Sequence, residues 1–186
     1  MPMCNTIESL KKQNCTGCKS CGDACPADAI HFYDEADGFW YPTINHDKCV
    51  KCGLCANKCP SLNSVDGSEN CVIKCYGVKS KNEEIRYNST SGGFFSVLAE
   101  KWIDYGGTVV GAEYDDSNLV FHSISSDKKD ISKLRQSKYV QSDTQGIYKK
   151  VKELLDHNRK VLFCGTPCQV ESLLFFLARP YENLLT

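Results

Sequence analysis

A duplicated cysteine pattern constrains this chain more than any other feature. The pattern C-x-x-C-x-x-C-x-x-x-C-P occurs at residues 15–26 and again at residues 49–60, and each cysteine of the second copy lies 34 residues after its counterpart. Three cysteines at this spacing wrap a short loop around an iron–sulfur cubane and offer thiolates to three of its irons. The duplication therefore predicts two [4Fe-4S] clusters.

The fourth ligand of each predicted cluster comes from the other copy, because in bacterial-type runs the fourth cysteine binds the neighbouring cluster. The predicted ligands are Cys15, Cys18, Cys21 and Cys59 for the first cluster, and Cys49, Cys52, Cys55 and Cys25 for the second. The proline after each fourth cysteine turns the chain and has no N–H group to leave unpaired.

Zinc and disulfides are the alternative uses of these cysteines. Zinc sites commonly use two C-x-x-C pairs with a longer spacer, and the third cysteine of each run exceeds what zinc needs. The cysteines cluster in one region without a preceding secretory signal, which disfavours a disulfide scaffold. Over residues 15–63 the chain resembles the two-cluster ferredoxins.

Composition limits the remaining possibilities. The chain has 186 residues, which suits one medium domain or two small ones. A formal net charge of -1 without a basic patch argues against nucleic acid as a partner. No apolar run approaches the roughly 20 residues that a membrane span needs, and cluster-ligating thiols need a reducing compartment. We therefore expect a cytoplasmic protein.

The predicted order of elements is a short arm (residues 1–14), a two-cluster module (15–63), a linker (64–75) and a larger lobe (76–186). Within the module, residues 29–33 and 38–41 have the composition of a β-hairpin, and residues 49–59 can form a short helix. In the lobe, we expect strands at 72–79, 108–114, 119–124 and 160–164, with another starting at Leu184. Helices are predicted from residue 94 to Gly106, over 130–136, over 143–158 with Asp143 as its cap, and from 167 to about 178. The fold class is α+β, a ferredoxin-like module followed by an α/β lobe.

Two segments of this lobe carry residues suited to chemistry. Residues 89–93 (Ser-Thr-Ser-Gly-Gly) open a helix and could form an anion cradle, although a serine before a glycine pair is often only a helix start. Residues 164–169 (Cys-Gly-Thr-Pro-Cys-Gln) form a strand-to-helix turn, with Thr166 as cap and Pro167 at the first helical position. Cys168 would lie in the first turn, where a thiolate is favoured, and could be reactive or simply packed. Cys71 and Cys75 fit a strand.

The cysteine module followed by residues 89–93, 137–142 (Ser-Lys-Tyr-Val-Gln-Ser) and 164–169 resembles the coenzyme F-420 hydrogenase/dehydrogenase beta-subunit family. The resemblance runs from Cys15 to Thr186. It implies an FAD-containing iron–sulfur oxidoreductase, in which the clusters supply electrons to a flavin for reduction of a small molecule or of the deazaflavin coenzyme F-420. Some relatives look like ferredoxin-dependent reductases of chlorophyll derivatives. Family members continue beyond the position of Thr186, so we expect this lobe to be the N-terminal part of the flavin-binding domain.

The same resemblance implies a flavin site, a redox partner and a candidate catalytic residue, Cys168. The implied cofactor-binding residues are Ser89, Ser91, Gly92, Gly93, Ser137, Lys138, Tyr139, Gln141, Ser142, Gly165, Thr166, Pro167 and Gln169. The implied partner is a ferredoxin or a dehydrogenase- or hydrogenase-type subunit. Two other functions stay open, a ferredoxin-like electron carrier without its own catalysis and a zinc-stabilised interaction module.

Overall fold

The computed structural model describes residues 6–63 and 74–186. The first of these segments, here called the N-terminal lobe, contains the two short helices α1 (Ser20–Asp23) and α2 (Leu54–Asn57). Between them lies the hairpin of β1 (Ile30–Asp34) and β2 (Trp40–Ile44), which pairs antiparallel with Ile30 opposite Ile44. This confirms the predicted hairpin and the predicted helix in the second cysteine run.

The hairpin and the cysteine loops share one small core. Its buried members are Ile7, Cys21, Ile30, Ile44, Cys55 and Cys59. The thiols thus occupy positions that aliphatic side chains fill in other small domains. Ile7 belongs to a single 3₁₀ turn (Ile7–Ser9), so part of the predicted arm packs against the cysteine module.

Residues 74–186, here called the C-terminal lobe, are built on a mixed sheet in the order β4-β3-β5-β6. Its strands are β3 (Thr108–Tyr114), β4 (Val120–Ser125), β5 (Val161–Phe163) and β6 (Leu184–Leu185). β3 and β4 form an antiparallel hairpin, whereas β5 lies parallel to both β3 and β6. The four strands predicted here are confirmed.

Helices cover both faces of this sheet. The helices are α3 (Glu83–Tyr87), α4 (Phe94–Asp104), α5 (Ile131–Leu134), α6 (Ile147–Asp156) and α7 (Pro167–Leu177). Ala99, Ile131 and Leu134 from α4 and α5 pack on one face, against Val109 and Leu162. The other face is covered by α6 and α7 in a core centred on Tyr148, Phe163 and Leu173, which are almost completely buried. The lobe is therefore a three-layer α/β structure.

Two predictions at the element boundaries are wrong. Residues 74–79, the described part of the predicted 72–79 strand, have no regular secondary structure, and Cys71 lies outside the described residues. The segment has the composition of a strand, but it does not pair with the described sheet. Gly146 rather than Asp143 occupies the N-cap position of α6, and Asp143 Oδ1 instead accepts from the Gln145 N–H group in the turn before the helix.

Candidate functional site: two thiol-lined cavities beside a cleft between the lobes

The eight cysteines of the duplicated pattern border two separate small cavities in the N-terminal lobe. Cys15, Cys18, Cys21 and Cys59 line the first cavity. Cys25, Cys49, Cys52 and Cys55 line the second cavity. All eight are free thiols. The two groups have the same members as the two ligand sets predicted from spacing, including the exchange of the fourth cysteine between the runs.

Backbone conformation explains how each run curls around its cavity. In the first run, Gly17 and Lys19 adopt left-handed conformations, with φ of 64° and 59°. Their counterparts 34 residues later, Lys51 and Gly53, do the same, with φ of 52° and 76°. A left-handed residue on either side of the second cysteine reverses the chain twice within one loop, so that successive thiols face the same side.

The environment of the thiols combines burial with backbone N–H donors. Burial raises the pKa of Cys15, Cys21, Cys55 and Cys59, and in all four a neighbouring thiol of the same set adds to this shift. N–H groups oppose this shift, from Gly17 towards Cys15 and from Ile7 towards Cys55. The Ala29 N–H group donates to Cys25 Sγ at 3.3 Å. Because clusters bind thiolates, such donors suit a cluster in each cavity.

The thiols surround spaces instead of converging on a point. In the segments 6–63 and 74–186, no three Cys, His, Asp or Glu side chains are grouped so that they could hold one metal ion. Four thiolates directed at separate irons of one cubane are arranged around a volume. The donor set therefore fits a four-iron cluster in each cavity.

Comparison with known proteins identifies this part of the chain. A family model described as a 4Fe-4S dicluster domain matches residues 14–63. Residues 14–63 are a ferredoxin-type 4Fe-4S dicluster domain. The ferredoxin-type protein NapF of Haemophilus influenzae is 44% identical over 43 residues, which are 23% of this chain and 24% of NapF.

Two further relatives of the dicluster domain are subunits of larger assemblies. The pyruvate synthase subunit PorD of Thermotoga maritima is 41% identical over 51 residues, covering 27% of this chain and 48% of PorD. One subunit of the Na(+)-translocating ferredoxin:NAD(+) oxidoreductase complex of Acetobacterium woodii is 31% identical over 67 residues, covering 35% of this chain and 19% of that subunit. The chain thus spans about a quarter of NapF and less than half of either subunit. These relatives support iron–sulfur electron transfer by the dicluster domain.

The dicluster domain is joined to the C-terminal lobe by buried hydrogen bonds. The Asp23 carboxylate accepts from the backbone N–H groups of Gly146, Tyr148 and Lys149, at 2.6, 3.0 and 3.3 Å, and so caps α6. The Thr144 and Tyr148 hydroxyls donate to the Cys18 carbonyl oxygen at 2.7 and 2.9 Å. The first cysteine run is therefore attached to the start of α6.

The dicluster domain is also attached to the C-terminal end of α7. The Lys58 ammonium, next to Cys59, donates to the Phe175 and Phe176 carbonyl oxygens at 3.2 and 3.0 Å. Carbonyl groups at a helix C-terminus carry partial negative charge, which suits a lysine. Burial lowers the pKa of Lys58. The dicluster domain therefore contacts one helix at its N-terminus and the other at its C-terminus.

A cleft of about 780 Å³ lies between the two lobes. Its lining includes Thr16, Gly17, Cys18 and the hairpin-turn residues 37–39 from the dicluster domain, and Gly111, Ala112 and Cys164 from the C-terminal lobe. Gly111, Ala112 and Cys164 lie at or beyond the carboxyl ends of the parallel register of β3 and β5. Ligands of open α/β sheets bind at this edge, and the volume lies in the range of small-molecule and cofactor sites.

Most of the implied flavin-site residues border this cleft, and five do not. Those that line it are Ser137, Lys138, Tyr139, Gln141, Ser142, Gly165, Thr166 and Gln169, together with the candidate catalytic residue Cys168. Ser89, Ser91, Gly92, Gly93 and Pro167 are absent from the lining. The structure thus brings two of the three implied segments together and leaves the third outside the cleft wall.

Residues 89–93 have clear structural roles at the start of α4. Gly93 is the helix cap with φ of 78°, and a Cβ atom at Gly92 would overlap the Val78 carbonyl oxygen. The Gly92 carbonyl oxygen accepts from the Ser80 N–H group at 2.6 Å. One contact leads towards the cleft, because the Ser137 N–H group donates to Thr90 Oγ1 at 3.2 Å.

A buried polar network in the wall of the cleft centres on His122, a residue that lies outside every motif of the sequence. The Gln169 side-chain amide donates to Ser142 Oγ at 2.8 Å, and Ser142 Oγ lies 3.1 Å from His122 Nδ1. His122 Nε2 lies 3.2 Å from the Cys164 carbonyl oxygen, which can only accept. The neutral Nε2–H tautomer satisfies both contacts.

Burial keeps His122 neutral. It lowers the pKa of His122 to about 4, against the opposing effects of the Cys164 carbonyl and of Asp143. The imidazole is 4% exposed and stacks on Phe163, with ring centroids 5.6 Å apart. The sequence signal for the burial of His122 is its place between Val120 and Ile124 on one face of β4. This alternation does not show that the face borders a cleft.

The three other cysteines in the described segments divide between the cleft and the surface. Cys164 and Cys168 both line the cleft, and Cys168 Sγ lies 3.1 Å from Thr166 Oγ1. Burial raises the pKa of Cys164 although its surface is partly accessible. Cys75 is exposed. Separately, none of the helices in the described residues is long and apolar enough to cross a membrane.

Proposed function

We propose that this chain holds one [4Fe-4S] cluster in each thiol-lined cavity and passes electrons between an external donor and a cofactor in the cleft. The first cluster would be bound by Cys15, Cys18, Cys21 and Cys59, and the second by Cys25, Cys49, Cys52 and Cys55. Free thiols, left-handed ligand loops and backbone N–H donors support this assignment.

One observation supports a path from the clusters to the cleft. Thr16, Gly17 and Cys18 line the first cavity and the cleft at the same time. A single loop of backbone therefore separates the proposed first cluster from whatever occupies the cleft. Cys52, in the second cavity, is exposed at the surface, where a donor protein can approach it.

FAD is the cofactor that we propose for the cleft. When bound, it would accept single electrons and deliver them in pairs as a hydride equivalent. The residues available to hold it are Ser137, Lys138, Tyr139, Gln141, Ser142, Gly165, Thr166 and Gln169. The proposed substrate is a small molecule or the deazaflavin coenzyme F-420. The proposed donor is a ferredoxin or a dehydrogenase- or hydrogenase-type subunit.

The proposed domain organisation follows from this function. Residues 15–63 would supply the electron path, and residues 76–186 would supply the cofactor and substrate side. A ferredoxin-like carrier without its own catalysis is the second candidate. It is favoured by the observation that the three relatives named above align with no more than 35% of the chain.

Iron and flavin, measured on one anaerobically purified sample, test the proposal. We expect about eight irons per chain and one FAD released by acid. Ala112→Trp should block the cleft, because Ala112 lines it beside its cross-strand partner His122. Ser117→Trp is the matched control, since it adds the same indole at the exposed turn of the same hairpin.

Three outcomes separate the candidates. Flavin lost in Ala112→Trp but kept in Ser117→Trp, with iron unchanged in both, supports binding in the cleft. Eight irons without flavin would leave the carrier function and reject the flavin site. Flavin retained in full by both variants would place it elsewhere.

Ligand assignment is tested by single substitutions. Cys18→Ala and Cys52→Ala should each lose or convert one cluster, seen as a loss of iron and a changed EPR spectrum of the reduced protein. Cys75→Ala removes an exposed cysteine outside both cavities and should change neither. Unchanged iron content in both ligand variants would reject the assignment.

A further inference from the structure

Lys19 marks a difference between the two otherwise similar cysteine runs. Lys19 and its counterpart Gly53 both precede a short helix, and both have left-handed backbone conformations, with φ of 59° and 76°. Glycine adopts this conformation freely, whereas a residue with a Cβ atom is strained in it. The first run therefore keeps a lysine at a position where the second run uses the less strained residue.

The Lys19 side chain is held inside the protein. The residue is 4% exposed, and its ammonium lies 3.9 Å from the centre of the Trp40 ring and 5.3 Å from that of Phe32. It also forms an ion pair of 2.9 Å with Asp143 from the C-terminal lobe. The two rings and the carboxylate hold the ammonium at one position.

The residue that carries this charge lines one cavity and not the other. Lys19 lines the first cavity together with Cys15, Cys18, Cys21 and Cys59. Among the described residues that line the second cavity, none has a cationic side chain, and Gly53 occupies the position equivalent to Lys19. Two cavities with the same kind of ligand set thus differ by one buried positive charge.

We infer that Lys19 raises the reduction potential of the first cluster above that of the second, so that an electron shared by the two resides next to the cleft. The inference rests on the proposed cluster ligation. A cluster gains one negative charge when it is reduced, and a nearby cation stabilises that form. In each transfer the second cluster is oxidised by one electron and the first is reduced by the same electron.

Asp143 weakens this effect without cancelling it. Its side chain is 39% exposed, so water screens its charge, whereas the Lys19 side chain is enclosed. Asp143 also lies in the C-terminal lobe and is absent from the wall of the first cavity. The ammonium is therefore the less screened of the two charges, and Lys19 is the one of the two residues that lines the first cavity.

The experiment is a reciprocal exchange between the two runs, carried out on the full chain. Lys19→Gly removes the charge and relieves the backbone strain, while Gly53→Lys adds a charge to the second run. The potentials of both clusters are measured by anaerobic dithionite titration, with each reduction step followed by EPR. Iron content and the urea midpoint are measured on the same samples.

In Lys19→Gly, we expect the higher-potential step to move down while the other step stays in place. The equilibrium constant for electron sharing should fall by about tenfold, which is about 59 mV for one electron. Gly53→Lys should instead raise the lower-potential step. Lys19→Arg keeps the charge and should leave both steps near their original values.

Asp143→Asn gives a prediction of opposite sign. Removing the counter-charge should raise the potential of the step that Lys19→Gly lowers. A purely structural role for the ion pair would shift both variants in the same direction, or neither, and would overturn the inference. A protein that lacks about eight irons would overturn the proposed function as well as the inference. A cluster-loaded protein whose reduction potentials do not change in these variants would overturn the inference alone.

Discussion

Asp23 provides the sharpest test of how the dicluster domain is attached to the rest of the chain. Asp23 is 4% exposed, and its carboxylate accepts hydrogen bonds from three backbone N–H groups at the start of α6. Asp23→Ala removes the acceptor of all three. The equivalent residue of the second run, Asn57, does not cap α6, so this contact is special to the first run.

The expected loss of unfolding free energy in Asp23→Ala follows from the number of N–H donors that lose their acceptor. A buried donor left without a partner costs about 1–3 kcal/mol, and three donors at the low end of that range give about 3 kcal/mol. Burial raises the pKa of Asp23 although the N–H groups oppose the shift, so removing a desolvated carboxylate recovers part of the loss. We therefore expect Asp23→Ala to lower the free energy of unfolding by about 2–3 kcal/mol.

The assay is urea unfolding of the anaerobic, cluster-loaded protein, followed by far-UV circular dichroism. Asp23→Asn keeps one side-chain oxygen and should cost about half as much as Asp23→Ala. Asp28→Asn is the matched control, because Asp28 is 88% exposed and lies 3.8 Å from Lys149. Its expected loss is below about 0.5 kcal/mol.

Two results would refute the reasoning. Equal stability of Asp23→Asn and Asp28→Asn would mean that the three N–H contacts contribute nothing measurable. A lower m-value in Asp23→Ala at unchanged midpoint would mean that the lobes unfold separately, so that the contact couples them without stabilising either.

Two further predictions concern the C-terminal lobe. His122 has its pKa lowered to about 4 from an unfolded value of 6.5, so the unfolded chain binds more protons between these pH values and stability must fall as pH falls. The free energy of unfolding should fall by about 1.3 kcal/mol between pH 7.5 and 5.5, measured from urea midpoints. His122→Asn should show a weaker dependence of stability on pH. Parallel pH profiles of the two proteins would contradict the assignment. Gly92→Ala should cost about 1–3 kcal/mol because the added Cβ meets the Val78 carbonyl oxygen, whereas Gly77→Ala has open space and should be neutral; equal thermal midpoints would contradict this packing.

The grouping of three cysteines within each run could be predicted from sequence because it depends on local spacing, and the exchange of the fourth cysteine follows the pattern of duplicated bacterial-type runs. A cubane needs thiolates a fixed distance apart, and only certain intervals along a chain allow this. The same locality explains the success for α4, β3 and α7, where the apolar period and end signals lie within the element itself.

Errors arose where a segment depends on a distant partner. Residues 74–79 have strand composition but do not pair with the sheet of the described residues, whose order is β4-β3-β5-β6. Asp143 resembles a helix cap in sequence, yet its Oδ2 pairs with Lys19 and the capping of α6 comes from Asp23. In both cases the outcome depends on segments that lie far away along the chain.

The kind and spacing of eight cysteines were enough to predict iron–sulfur chemistry in the dicluster domain, which the family match over residues 14–63 supports. Tertiary structure decided which run lies next to the cleft, that His122 is buried in its wall, and that Lys19 is enclosed beside one cavity alone. Burial and charge at a site depend on every chain segment packed around it: the runs already differ in sequence at Lys19 and Gly53, but Lys19 is enclosed only because Trp40 and Asp143 pack around its ammonium.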